Sequence, residues 1–278
     1  MSKNTIFIPK DRHALDLEKT FECGQCFRWN MEDDGSYTGI ALEYPANMKL
    51  VEGMLVIEGY GNREFWEEYM DLDSDYEEMQ KAICKGECCV LPEAVKAGSG
   101  IRILRQDLWE TVVDFIISQN NNIPRIKGCI EKLSELHGEY AGEFRGRKWY
   151  AVPTPEKLAS LTVEDLAPVR LGYRDKYLIE TARRWLEMSP EERLNVGCFT
   201  GVGPKVESCI KLFGMHDLES FPIDVWVKRL MNRFYGFEEK DKAGMDAFAK
   251  EHFGEYAGLA QQYLFYYIRC LDMNKEKK

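Results

Sequence analysis

A chain of 278 residues exceeds one average domain, so two domains around a sizeable core are expected. Hydrophobic residues make up 45% and charged residues 30%, a globular balance that excludes a wholly disordered or fibrous chain. Lys and Arg number 37 against 47 Asp and Glu, and the resulting formal charge of -10 by itself argues against a nucleic-acid partner, so any such reading must rest on local features.

The first residues, MSKNTIFIPKDRH, scatter a few apolar side chains among charged ones and read as neither a secretory nor a transit peptide. Apolar runs such as 111–118 break long before the roughly 18 residues of a membrane span. A cytoplasmic protein is expected, nucleoid-associated in a prokaryote, without membrane contact. Nine cysteines without a leader are expected to be reduced thiols, with no disulfides. Cys23 and Cys26 form a C-x-x-C and Cys84, Cys88 and Cys89 a looser cluster, which leaves two readings open: metal ligands or small buried hydrophobes.

Residues 25–29, 36–41, 48–51 and 54–60 are short and rich in aromatic or β-branched side chains, separated by Asp34, Gly35, Pro45 and Gly53, and they predict an antiparallel sheet. Residues 61–85 mix acidic and aromatic residues at helical spacing, and 86–100 reads as a turn-rich connector. An N-terminal sheet domain over 1–100 is therefore expected, with an all-helical domain over 101–278. In the second part Trp109, Val112, Val113, Ile116 and Ile117 fall on one helical face, and Ile123, Ile126, Ile130 and Leu133 on the next, on either side of Gln119 to Asn122. Further helices are predicted over 155–161, 162–170, 176–187, 205–213, 224–234 and, as one piece, 245–269.

The stretch Phe199 to Ile210 (FTGVGPKVESCI) is the most informative. Gly201 and Gly203 bracket one apolar residue before Pro204, which marks a tight turn feeding a helix whose apolar face is Val206, Cys209, Ile210 and Phe213. A hairpin between helices is expected over about 195–213. Its backbone N–H groups at a helix N-terminus can hold a phosphate despite the net negative charge. Lys205 lies in the first helical turn, where the dipole disfavours a second positive charge and suits a nucleophilic amine able to form a Schiff base. The competing reading is a lysine that reaches a phosphate or solvent. Asp224, 19 residues on in Phe221 to Trp226 (FPIDVW), precedes another amphipathic helix and reads as its N-cap, able also to stabilise positive charge on a substrate.

The hairpin, the lysine and the downstream aspartate, in that order, resemble the signature of bifunctional helix-hairpin-helix DNA glycosylases. Three further segments narrow the resemblance: Leu15 to Leu17 with Gly24 to Trp29 (GQCFRW), Ile103 to Asp107 with Ser118 to Arg125, and Tyr256 to Gln261 with Phe265. Together they resemble the 8-oxoguanine DNA glycosylases of the eukaryotic type, from about residue 12 to residue 270. The resemblance implies an α+β chain, an N-terminal antiparallel sheet domain followed by an all-helical glycosylase core, that flips out and excises 8-oxoguanine, preferably opposite cytosine, with accompanying lyase activity.

It also implies roles. Lys205 would attack the sugar C1′ and Asp224 stabilise the cationic sugar. The carbonyl of Gly24 would accept the N7 hydrogen that distinguishes 8-oxoguanine from guanine, Cys209 and Phe265 would sandwich the purine, Gln261 would read its Watson–Crick edge, and Phe213 and Pro222 would complete the pocket. Asn120, Arg125 and Arg174 would hold the orphaned cytosine and Tyr173 would wedge into the stack, while Gly201, Gly203 and Val206 would meet the phosphate. Arg125, Lys127, Arg174, Lys205, Lys228 and Arg229 are expected to gather on one basic face. The chain departs from the pattern at Trp226, where a histidine is common, at Thr200, where a proline is usual, and at Ile268, which replaces an acidic residue. No organic cofactor or catalytic metal is implied. The hairpin is a candidate holder, through main-chain carbonyls, of a structural alkali or alkaline-earth ion. The expected partner is double-stranded DNA containing oxidised guanine, bound by a monomer. The rivals are a related glycosylase for another damaged base and a non-catalytic hairpin module. Only Cys270 follows Cys209, which speaks against the iron–sulfur branch.

Overall fold

The computed structural model describes residues 3–9, 14–85 and 90–276, so Cys88 and Cys89 lie outside the described residues. The N-terminal part is a five-stranded antiparallel sheet in the order β1-β5-β4-β3-β2, from β1 (Asn4–Pro9), β2 (Trp29–Met31), β3 (Tyr37–Ala41), β4 (Tyr44–Val51) and β5 (Met54–Gly59). Helix α1 (Leu17–Glu22) crosses between β1 and β2 and brings Phe21 flat against Trp29, ring centroids 4.6 Å apart. β1 was not expected, because its residues sit among charges. Its register on β5 buries Ile6 and Ile8 on alternate positions, the period of a half-covered edge strand.

Residues 25–28 are not strand. The chain turns at Gly24 with φ +81° and runs as buried irregular backbone, and the Gln25 side chain replaces the missing ladder: its Nε2 donates to the Arg102 carbonyl at 2.7 Å and its Oε1 accepts from the Leu104 amide at 2.9 Å. Arg28 then reaches across to donate from Nε to Glu131 at 3.2 Å and from Nη2 to the Tyr150 carbonyl at 2.8 Å.

Helices α2 (Arg63–Tyr69) and α3 (Tyr76–Ile83) follow, and α4 (Leu91–Gly98) forms inside the expected connector. Pro92 sits in the first turn of α4, where a missing N–H costs nothing. Then come α5 (Leu108–Ser118), α6 (Ile123–His137), an unexpected hairpin of β6 (Tyr140–Phe144) and β7 (Arg147–Tyr150), and α7 (Pro155–Ser160), α8 (Val163–Leu166), α9 (Arg174–Glu187) and α10 (Pro190–Arg193). The chain ends with α11 (Pro204–Gly214), α12 (Val225–Tyr235), α13 (Lys242–Phe253) and α14 (Ala257–Glu276). The single helix expected over 245–269 is two, because Gly254 adopts φ 57°, ψ −136° between α13 and α14.

Most helices start on a polar cap. Asp16, Asn62, Asp75, Asp107, Asn122, Thr154, Thr162, Ser189, Asp224 and Asp241 each accept a backbone N–H of the first turn. α4, α9 and α11 have no side-chain cap.

The main core runs through α5, α6, α9, α11, α12 and α14 and draws in Cys23, Phe27 and α4 from before residue 100, while a second cluster fills the sheet side around Phe21, Trp29 and Trp66. α4 lies so close to α14 that a Cβ on Gly98 would sit 2.6 Å from the Tyr263 ring. Asp71, buried with φ 50°, accepts from Arg105 at 2.8 Å and faces His216, in the turn between α11 and α12, at 3.4 Å. Burial alone would raise this carboxyl, but His216, Ser74 and Tyr76 outweigh it and hold it well below the usual range. That buried cluster fixes the α11–α12 turn to the sheet side.

Candidate active site

The turn before α11 is built on Gly201. Its φ of +80° suits glycine, and a Cβ there would meet the Tyr177 ring at 2.3 Å. The Phe199 carbonyl closes the turn by accepting from the Val202 amide at 3.1 Å. Gly203 begins the helix without a side-chain cap, and the first amide to bond back is that of Glu207, onto the Gly203 carbonyl at 2.9 Å. Pro204 has no N–H, so the amides of Lys205 and Val206 are left without an intrahelical acceptor. The buried Val206 side chain anchors this turn.

From here Lys205 reaches into a recess between α11, α14 and the Gly24 turn. The recess unites Lys205 and Asp224 with all six pocket candidates, Gly24, Cys209, Phe213, Pro222, Gln261 and Phe265. The Lys205 ammonium lies 5.4 Å from the centroid of Phe115, which stacks on Phe213 at 5.4 Å. Asp224 caps α12: a single oxygen, Oδ1, accepts from the Trp226 and Val227 amides at 2.9 and 2.8 Å. Burial raises its carboxyl above the usual range, opposed by the Val227 amide and by the charge of Lys205. Burial also pushes up the Cys209 thiol, against the influence of Lys205.

Gly24 is required for its backbone conformation more than for space, since an added Cβ would make only ordinary contact with Phe265 at 3.7 Å. Gln261 is nearly fully buried and its Oε1 has no hydrogen-bond partner, a state that costs roughly 1–3 kcal/mol unless a ligand relieves it. Three lining residues were not anticipated: Cys23, Phe115 and Gln262. Phe115 lies next to the apolar stripe of α5, and Gln262 directly follows Gln261. No motif marks either.

A second cluster joins the asparagine run to the start of α9. Asn120, with φ 45°, donates to the Tyr173 hydroxyl at 3.2 Å, and Tyr173 is 47% exposed at the tip of the turn after Gly172. Arg174 is buried, contrary to a free fork: Nη1 donates to the Leu171 carbonyl at 2.9 Å, Nε and Nη2 to that of Gln119, and the guanidinium lies 4.5 Å from the Tyr173 ring. Its charge-assisted bonds tie the two loops together. Arg125 stays exposed and donates to the Arg170 carbonyl at 3.2 Å.

The expected basic face is smaller than the sequence suggested. Lys127 turns inward, donating to the Trp29 carbonyl at 2.6 Å and pairing with Glu22 at 3.2 Å. α12, by contrast, carries Lys228, Arg229 and Arg233 and no acidic residue, and Arg229 lies 5.1 Å above the ring of Trp226. Ile268 is buried among apolar neighbours. Cys23 and Cys26 fall in different core clusters, and each thiol donates to a main-chain carbonyl. Burial pushes Cys23 up to about 12 and Cys26 well above its usual value, so both favour the protonated form. Among the described residues no group of three or more His, Cys, Asp or Glu is placed to hold a metal ion, and no helix is long and apolar enough to cross a membrane.

Residues 7–112 match the family described as 8-oxoguanine DNA glycosylase, N-terminal domain, and residues 113–253 match the HhH-GPD superfamily of base excision DNA repair proteins. The 8-oxoguanine glycosylase/lyase of Clostridium acetobutylicum, solved with double-stranded DNA containing cytosine opposite 8-oxoguanine, is 39% identical, with 94% of this chain and 93% of that one covered and a TM-score of 0.87. MBOgg1, solved with a low-affinity DNA ligand, is also 39% identical, covering 98% and 100% of the two chains with a TM-score of 0.88. A probable N-glycosylase/DNA lyase of Methanothermobacter thermautotrophicus is 28% identical over 92% of this chain and 94% of its own.

Proposed function

Because this chain belongs to the HhH-GPD superfamily of base excision repair proteins and carries the N-terminal domain of the 8-oxoguanine DNA glycosylases, we propose that it excises 8-oxoguanine from double-stranded DNA, preferably opposite cytosine, and cleaves the resulting site as a lyase. One observation carries the reading: an amine at an uncapped helix N-terminus and a half-buried carboxylate share one recess with the six candidate base-binding residues.

The flipped nucleotide enters that recess. Lys205, as the free amine, attacks C1′ as the C1′–N9 bond breaks. The electron pair leaves with the base, which takes up a proton. The Asp224 carboxylate stabilises the positive charge on the sugar as the bond parts. Loss of the second Nζ proton with opening of the C1′–O4′ bond gives the Schiff base, and removal of a C2′ proton then expels the 3′ phosphate. The Gly24 carbonyl takes the N7 hydrogen, Cys209 and Phe265 hold the faces of the base, and Gln261 its Watson–Crick edge. Phe213 and Pro222 close the pocket.

Tyr173 wedges into the stack, with Asn120, Arg125 and Arg174 beside the orphaned cytosine. Arg174 does so after sharing or exchanging the carbonyls it now holds. The amides after Gly201 and Gly203, Val206 among them, take the phosphate. The main-chain carbonyls of that turn are hard oxygen ligands, the type suited to an alkali or alkaline-earth ion, which would supply positive charge beside the phosphate. The proposed chemistry requires no organic cofactor. We place the protein in the cytoplasm, acting on chromosomal DNA as a monomer.

Borohydride trapping on a duplex carrying 8-oxoguanine opposite cytosine tests this. A covalent adduct is expected, absent in Lys205→Gln. Neither adduct nor released base from the unsubstituted protein would refute the reading.

A further inference from the structure

Three glutamines of this protein are almost wholly buried: Gln25, Gln261 and Gln262. Buried polar side chains are normally hydrogen-bonded, and Gln25 obeys that rule fully, its amide donating to the carbonyls of Thr20 and Arg102 and accepting from the Leu104 N–H. At Asn47, another fully buried amide, Oδ1 has no partner but Nδ2 donates to the Ser36 and Thr38 hydroxyls at 2.7 and 3.0 Å. Gln261 and Gln262 differ. Each leaves its Oε1 buried without a partner, and no described residue bonds to either amide nitrogen. They follow one another in the first turns of α14 and, although consecutive residues diverge by about 100° around a helix, both line the recess that holds Lys205 and Asp224. Gln262 is the more buried of the pair, only 2% exposed.

We infer that Gln262 is a second base-reading residue, which together with Gln261 selects purines presenting two adjacent N–H donors on the Watson–Crick edge. This rests on the glycosylase reading above. An amide exchanges its oxygen and nitrogen by rotation about its last torsion without changing shape, so each glutamine can turn an acceptor toward a base that enters. Two carbonyl oxygens match the N1–H and 2-amino groups of a guanine-type edge. An adenine-type edge, with an acceptor at N1, leaves at least one of them unpaired. Burying an unpaired acceptor is the means by which a site built for hydrogen bonding rejects a near-isostere.

The test compares single-turnover excision of 8-oxoguanine and 8-oxohypoxanthine, which lacks only the 2-amino group, each opposite cytosine, by the unsubstituted protein and by Gln262→Met. The unsubstituted protein should excise 8-oxoguanine roughly tenfold faster than 8-oxohypoxanthine, the scale of one hydrogen bond. Gln262→Met should lose that preference by slowing on 8-oxoguanine alone. It should melt no lower than the unsubstituted protein, because no protein partner is lost. Unchanged preference in the variant would overturn the inference, as would an equal slowing on both bases with a lower melting temperature, the mark of a structural role. If the unsubstituted protein excises 8-oxoguanine but shows no preference between the bases, this inference alone falls. If it excises neither, the parent reading falls with it.

Discussion

α11 and α12 both begin at the rim of one recess, and their N-termini are finished in opposite ways. α11 starts on Gly203 with no side-chain cap, leaves two amides open and places a cation, Lys205, where the helix dipole opposes it. α12 starts on Asp224, whose carboxylate takes two amides and complements the dipole. The open end is the costlier arrangement and is suited to an anion, a DNA phosphate, arriving from outside. The closed end stabilises the fold and, in the proposed reaction, keeps a carboxylate beside the sugar. On that proposal one helix start serves the ligand, while the other serves structure and ligand together.

That double service can be separated. Asparagine caps a helix about as well as aspartate, so Asp224→Asn should leave stability within about 0.5 kcal/mol yet lower single-turnover excision by roughly a hundredfold or more. Asp224→Ala should lose the activity and also about 1 kcal/mol of stability in urea denaturation. Equal stability losses in both variants would break the comparison. The pH profile sharpens it. Because burial raises the Asp224 carboxyl, excision should fall on acidification through a limb lying above the ordinary 3.8. The folded state holds this proton to higher pH than the unfolded one, so the stability contributed by the group declines as pH rises from the unfolded to the folded value. Asp224→Asn should therefore gain stability relative to the unsubstituted protein across that window.

A smaller effect is expected at the open end. Gly201→Ala combines an unfavourable φ with a clash on Tyr177 and should cost on the order of 2 kcal/mol, together with weaker DNA binding. Gly203→Ala, with φ −90° and nothing within 4 Å of the new Cβ, should cost less than about 1 kcal/mol. The smallest effect concerns Arg229. Lying over Trp226 on a helix with no acidic residue, it is placed to neutralise one phosphate, and Arg229→Gln should lower the salt dependence of duplex binding by about one unit of slope while sparing the excision rate at saturation. An unchanged slope would assign Arg229 to solvent.

Lys205 and Asp224 were legible in the sequence because each belongs to a local pattern, a glycine-proline turn or a capped amphipathic helix, whose geometry is set within a few residues. The sheet was legible for the same reason, through short aromatic and β-branched runs and the turns at Asp34, Gly35 and Gly53, although Pro45, expected between strands, lies within β4. β1 was missed because an edge strand shows its period over too few residues to stand out among charges. α4 was missed because residues 86–100 read as a turn-rich connector, and only the packing against Tyr263 explains Gly98.

Roles that depend on residues far apart in the chain were not legible. Arg174 reads as a free guanidinium until the carbonyls of Gln119 and Leu171 are brought around it, and Lys127 as a DNA-facing cation until Glu22 and the Trp29 carbonyl claim it. Gln25 and Gln262 are the same residue type with nothing local to tell them apart. The amino-acid order alone determined most of the helices after residue 100 and the groups that stand ready at the starts of α11 and α12. Only the tertiary structure decided which polar groups find a partner inside the protein and which are left to bind something else, because the energy of a buried hydrogen bond depends on neighbours that only folding supplies.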